Sequence, residues 1–123
     1  MRIIDLLDKR SIQLAAAPSD KEHALKQAVA LMEASGKLSD VTAYQKQVFA
    51  REEESTTGIG EGIAIPHGKC DAVKKPGLAA MVIPNGVDFD SLDGEPVTLL
   101  FLIAAPNTKD NVHLDVLSKL QLC

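Results

Sequence analysis

Apolar residues recur at helical spacing in two stretches of the chain and run unbroken in two others, a pattern that predicts alternating helices and strands. Leu25, Ala28, Val29 and Met32 share one helical face. Pro18 and the capping box Ser19-Asp20-Lys21-Glu22 open this helix, and Gly36 ends it. A second helix follows Ser39 or Asp40 as cap, carries Val41, Tyr44, Val48 and Phe49 as its inward stripe, and continues to about Glu54. Ile12-Gln13-Leu14 reads as a short first strand. Leu78 to Ile83 and Val97 to Ala104 are continuous apolar runs bounded by Pro, Gly or Asp, as expected of strands covered on both faces. Asn85-Gly86 and Asp93-Gly94 mark turns between them, which predicts an antiparallel pair. After the polar loop Pro106 to Asn111, Asn111 caps a last helix with Val116, Leu117 and Leu120 facing the core. The sum is an α/β fold, a mixed β-sheet flanked by helices on both sides.

Length holds this to one domain, spanning residues 1–123. Aromatic residues make up only 3% of the chain, so the core is expected to consist of Leu, Ile, Val and Ala, and the stacking platforms used for single-stranded nucleic acid are lacking. A net charge of −4 also points away from nucleic acid and suits a basic protein partner. No apolar run reaches membrane-spanning length, and Met1 to Asp5 does not read as a signal peptide; the expectation is a cytoplasmic protein. Cys70 and Cys123 read as free thiols. His67-x-x-Cys70 has no second close Cys/His pair to complete a tetrahedral site, so no metal is expected.

The candidate chemistry lies in Thr57-Gly58-Ile59-Gly60-Glu61-Gly62-Ile63-Ala64-Ile65-Pro66-His67-Gly68-Lys69. Three glycines at alternate positions give a loop of little bulk, Ile63-Ala64-Ile65 is apolar enough to be a buried strand, and Pro66 is expected to end backbone pairing just before His67. His67 would then be fixed at its base and open at its tip. An imidazole titrates near neutrality, so it can serve as nucleophile, acid, base or ligand; the segment also admits a histidine that merely hydrogen-bonds a turn. The glycines precede a strand and no Gly-Lys-Ser/Thr follows, which argues against a nucleotide loop. His23, beside Glu22 and Lys26, reads as part of a solvated helix face.

Arg51-Glu52, Ser55-Thr56, Gly58-Ile59-Gly60, Gly62-Ile63-Ala64-Ile65-Pro66-His67, Gly86-Val87-Asp88-Phe89, Asp93-Gly94 and His113-Leu114 occur in this order, with the second histidine 46 residues after the first. In this the chain resembles the enzyme IIA domains, fructose/mannitol type, of the bacterial phosphoenolpyruvate-dependent sugar phosphotransferase system. The resemblance implies a phosphocarrier without a cofactor. His67 would accept a phosphoryl group from the carrier protein HPr and pass it to a cysteine of enzyme IIB, reaching a membrane IIC only through IIB. His113, in the first turn of the last helix, would stabilise the phosphoryl group, where unpaired backbone N–H groups also favour an anion. Arg51 would do the same through its guanidinium fork, with the Ser55 and Thr56 hydroxyls as further binding groups. Read without the resemblance, Arg51 is a cation complementing a helix C-terminus, and Glu52-Glu53-Glu54 a solvated acidic edge. The regulatory nitrogen-type IIA branch, which acts by binding targets, is the alternative. Against the family pattern the last helix breaks off at Leu122-Cys123, from which uncovered apolar surface and self-association are expected.

Overall fold

The computed structural model describes residues 6–107, and in them one strand is followed by two helices and then by five strands, in place of the alternation the hydrophobic pattern predicts. The order is β1 (Leu7–Gln13), α1 (Lys21–Ala34), α2 (Val41–Glu54), β2 (Gly58–Gly60), β3 (Ile63–Ala64), β4 (His67–Cys70), β5 (Gly77–Val87) and β6 (Val97–Pro106). The expected last helix, with Asn111 and His113, lies outside the described residues.

The six strands form one mixed sheet in the order β1-β5-β6-β3-β2, with β4 also on β6. β5 and β6 are antiparallel, as the turn signals predict, while β1 runs parallel to β5 and both β3 and β4 run parallel to β6. Alternation along the central strands divides the core. Ala79, Met81 and Ile83 of β5 and Leu100, Leu102 and Ala104 of β6 pack with Leu25, Val29 and Met32 of α1 and Tyr44 and Val48 of α2. Leu78 and Ile103 face the other way, with Leu6 and Ile65. Both described helices therefore cover the same face of the sheet.

Local chemistry shifts three boundaries. Asp20, not Ser19, is the N-cap of α1, its carboxylate accepting from His23 N; the His23 ring itself is exposed, and its Nδ1 accepts from Ser19 N at 3.0 Å. Asp40 caps α2 by the same geometry, accepting from Ala43 N. β1 starts well before Ile12 and stops short of Leu14. Its sequence is too polar to show alternation, and only Ser11 is fully buried, its hydroxyl 3.0 Å from the Leu78 carbonyl oxygen. Asn85-Gly86 is not the turn between β5 and β6. Gly86, with φ of 73°, lies within β5 where the pairing register shifts between Val82 and Val87, and the reversal comes later, at Asp88 to Pro96. The core is also less purely aliphatic than composition suggests, since Tyr44 and Phe89 are among its largest fully buried side chains.

Tyr44 ties helix to sheet: its hydroxyl donates to the Ile103 carbonyl at 2.7 Å. Next to this bond, Gly68 lets α2 approach β4 closely. A Cβ placed there would sit 3.0 Å from both Tyr44 Cε1 and Val48 Cγ2. Gly68→Ala should therefore lower stability by about 1–3 kcal/mol, the usual cost of overfilling a packed core. Urea denaturation measures it, and an unchanged midpoint would show that α2 is free to move away from the strand.

Candidate active site around His67

His67 opens β4, paired with Ile103 of β6. The pairing does not stop at the proline. Pro66 lacks an N–H, but its carbonyl accepts from Ile103 N at 3.0 Å, and β3 and β4 keep one register against β6, Ala64 with Leu100 and His67 with Ile103. Proline thus removes a single rung, and the backbone under His67 is more firmly held than the sequence suggests.

The ring is half-buried, and its Nδ1 lies 3.1 Å from the Ile65 carbonyl oxygen. A carbonyl only accepts, so this contact places a proton on Nδ1 and the ring lone pair on Nε2. Burial holds the imidazole below its ordinary value of 6.5, and the charge of Arg51 pushes the same way; the bond to Ile65 and the carboxylates of Glu52 and Glu54 oppose the shift.

His67 lines a cleft of about 360 Å³ with Gln47, Arg51 and Glu54 from α2 and Lys69 from β4. Gln47, Arg51 and Glu54 recur at intervals of four and three along α2 and so present one helical face. Lys69 stands two residues beyond His67 in the same strand, on the same face. Both spacings are in the sequence, but no motif marks Gln47, Glu54 or Lys69 as neighbours of His67. Arg51 stands in the last turn of α2. It borders the cleft, and its Nη1 donates to the Ser55 carbonyl at 2.9 Å, closing the C-terminus of α2. The Ser55 hydroxyl is 3.4 Å from the same nitrogen. The Thr56 hydroxyl is turned to a different task, donating to the Phe89 carbonyl at 2.9 Å and accepting from Gly58 N at 3.1 Å. His113 lies outside the described residues.

Glu52 departs most from expectation. It is not part of a solvated edge but is buried, 9% exposed, because α2 turns it inward toward α1 and the start of the glycine loop. Its carboxylate accepts from both the backbone N–H and the hydroxyl of Thr57, and pairs with Lys21 Nζ at 2.9 Å. Glu53 and Glu54 are exposed, as expected. The glycines have separate reasons. A Cβ on Gly58 would strike Ser91 Oγ at 2.4 Å, while Gly60 and Gly62 adopt positive φ either side of Glu61, whose N–H donates to Asp93.

Because the folded imidazole resists protonation, the unfolded chain binds more protons below pH 6.5; stability should decline as pH falls through that region, while the folded ring stays neutral into mild acid. An NMR titration of His67 should show a midpoint below 6.5. A midpoint at or above that value would contradict the geometry.

Residues 5–123 match the family described as "Phosphoenolpyruvate-dependent sugar phosphotransferase system, EIIA 2". The chain is 44% identical over 120 residues to the fructose-specific EIIABC component of Bacillus subtilis (strain 168), covering 98% of this chain but only 19% of that longer protein. Among solved structures, the nitrogen regulatory protein IIA-Ntr of Neisseria meningitidis is similar with a TM-score of 0.84 and 35% identity, over 94% of this chain and 78% of that one. The mannitol enzyme IIA of Escherichia coli, in complex with phosphorylated mannitol enzyme IIB, gives a TM-score of 0.81 and 30% identity, again over 94% and 78%. The family match over residues 5–123 and these relatives, on a mixed sheet of the same fold, show that the chain belongs to the EIIA 2 family of the phosphoenolpyruvate-dependent sugar phosphotransferase system.

Proposed function

We propose that this chain is a phosphocarrier that takes a phosphoryl group from the phosphohistidine of HPr onto Nε2 of His67 and delivers it to a cysteine of a cognate enzyme IIB. The observation that carries this reading is the contact between His67 Nδ1 and the Ile65 carbonyl. It leaves the lone pair on the other nitrogen, and a depressed pKa keeps that nitrogen unprotonated at neutral pH. In the transfer the bond from phosphorus to the donor imidazole breaks as the bond to Nε2 forms. The Nδ1 proton stays hydrogen-bonded to Ile65, so the ring need not turn.

Arg51 and Lys69 border the cleft and bring positive charge to the incoming phosphoryl oxygens. Of Arg51's five N–H donors, Nη1 supplies the bond to Ser55, so the guanidinium can cap the helix and still face the anion. His113 is proposed as a second donor to the transferring group, with the Ser55 and Thr56 hydroxyls as lesser contributors. None of this asks for a cofactor. Among the described residues no helix is long and apolar enough to cross a membrane, in keeping with a component that works on the cytoplasmic side and meets a membrane IIC through IIB. The similarity to the Neisseria meningitidis nitrogen regulatory protein supports a second reading, in which phosphorylation of the same histidine switches binding to a regulated target.

Incubation with phosphoenolpyruvate, enzyme I and HPr should place one acid-labile, base-stable phosphoryl group on the protein, and His67→Ala should abolish it. Labelling that persists in this variant, or that requires ATP, would overturn the proposal. His113→Ala should still be labelled but should discharge to a fructose-type IIB about 10²–10³ times more slowly, the usual cost of losing one donor to a developing anion. Equal discharge rates would remove His113 from the site. A labelled wild-type protein that no sugar-type IIB discharges would favour the regulatory reading.

A further inference from the structure

We infer that Glu52, through Thr57 and Ile65, is the positioning residue that sets the tautomer and orientation of His67. The inference rests on His67 as phosphoryl acceptor, but its geometry is independent of that role. The Glu52 carboxylate accepts from the Thr57 hydroxyl and, at 3.2 Å, from Thr57 N. The Thr57 carbonyl accepts from Ile65 N at 3.0 Å, which closes the base of the β2–β3 hairpin. The Ile65 carbonyl in turn accepts from His67 Nδ1 at 3.1 Å. Each contact fixes the backbone that presents the next, so a carboxylate on α2 governs an imidazole on β4.

The placement has two further consequences. Glu52 adjoins Arg51 in α2, so the residue that anchors the histidine's support also shares a helical turn with the cation that borders the cleft. α2 therefore carries both the guanidinium and the carboxylate, and its close contact with β4 sets how near they come to His67. The carboxylate is itself fixed from a third side, because Lys21 Nζ pairs with it at 2.9 Å while lying 4.7 Å from the centre of the Phe89 ring. A buried carboxylate with two Thr57 donors and an ammonium is a rigid fixture, whereas exposed Glu53 and Glu54 on the same helix have no such restraint.

The test uses the full chain and two readouts. In wild type, ¹⁵N shifts of the His67 ring should report the proton on Nδ1. In Glu52→Ala and Thr57→Val the hairpin base is released, and the ring should pass to a mixture containing the Nε2–H tautomer. Acceptance of phosphoryl groups from phospho-HPr should slow on the order of 10²-fold, the scale of a displacement near 1 Å. Thr57→Ser keeps a hydroxyl and should restore both. Should Glu52→Ala fail to fold, Glu52→Gln retains an acceptor oxygen for Thr57 while losing the charge, and should keep the Nδ1–H tautomer. A folded Glu52→Ala or Thr57→Val protein with an unchanged ring spectrum would overturn the inference. If wild type is never labelled, the phosphocarrier reading falls while the spectra still decide whether Glu52 sets the tautomer.

Discussion

The site depends on the contact between α2 and β4. Gly68 has no side chain, so Tyr44 and Val48 rest directly on the strand, and the Tyr44 hydroxyl fixes the spacing by bonding the Ile103 carbonyl. This close approach brings Arg51 and Glu54 to the same cleft as His67 and directs Glu52 onto Thr57. A helix lifted away by the width of a methyl group would still bury most of its apolar face. It would no longer hold a guanidinium and a carboxylate at fixed distances from an imidazole in the next layer, so packing density becomes a condition of the chemistry.

Much of the architecture was legible because burial imposes period. The stripes Leu25-Ala28-Val29-Met32 and Tyr44-Val48 lie in the core, and the unbroken apolar runs of β5 and β6 form the antiparallel centre of the sheet. Where burial is partial, the pattern misled. β1 is largely polar, held by its ladder and by Ser11 rather than by an apolar face, and so only its last residues were recognised. Asn85-Gly86 has the composition of a turn, yet a positive φ serves a bulge as well as it serves a reversal.

The site was legible in part. His67 stood out by its flanking glycines and proline, and Arg51 by its place before the loop. Glu52 reads as one of a solvated trio because three consecutive glutamates look alike in sequence, and only the helical phase at which α2 meets α1 distinguishes the buried one. Thr57 was similarly hidden. Its role comes from a backbone carbonyl and a hydroxyl whose partners are elsewhere in the fold, and neither contact leaves a periodic trace.

The base of the β2–β3 hairpin has a consequence for proton placement. Successive carbonyls along a strand point to opposite edges; that of Pro66 turns to β6, and that of Ile65 to the side on which β2 pairs. The Thr57–Ile65 contact is the last rung on that side, since α2 ends at Glu54 and the chain must turn before pairing begins. The reciprocal donor for the Ile65 carbonyl in such an antiparallel pair would be Thr57 N, but Thr57 N donates to Glu52, and the carbonyl accepts from the imidazole. One backbone N–H turned to a buried carboxylate thus frees a strand carbonyl to hold the proton of a side chain two residues further on.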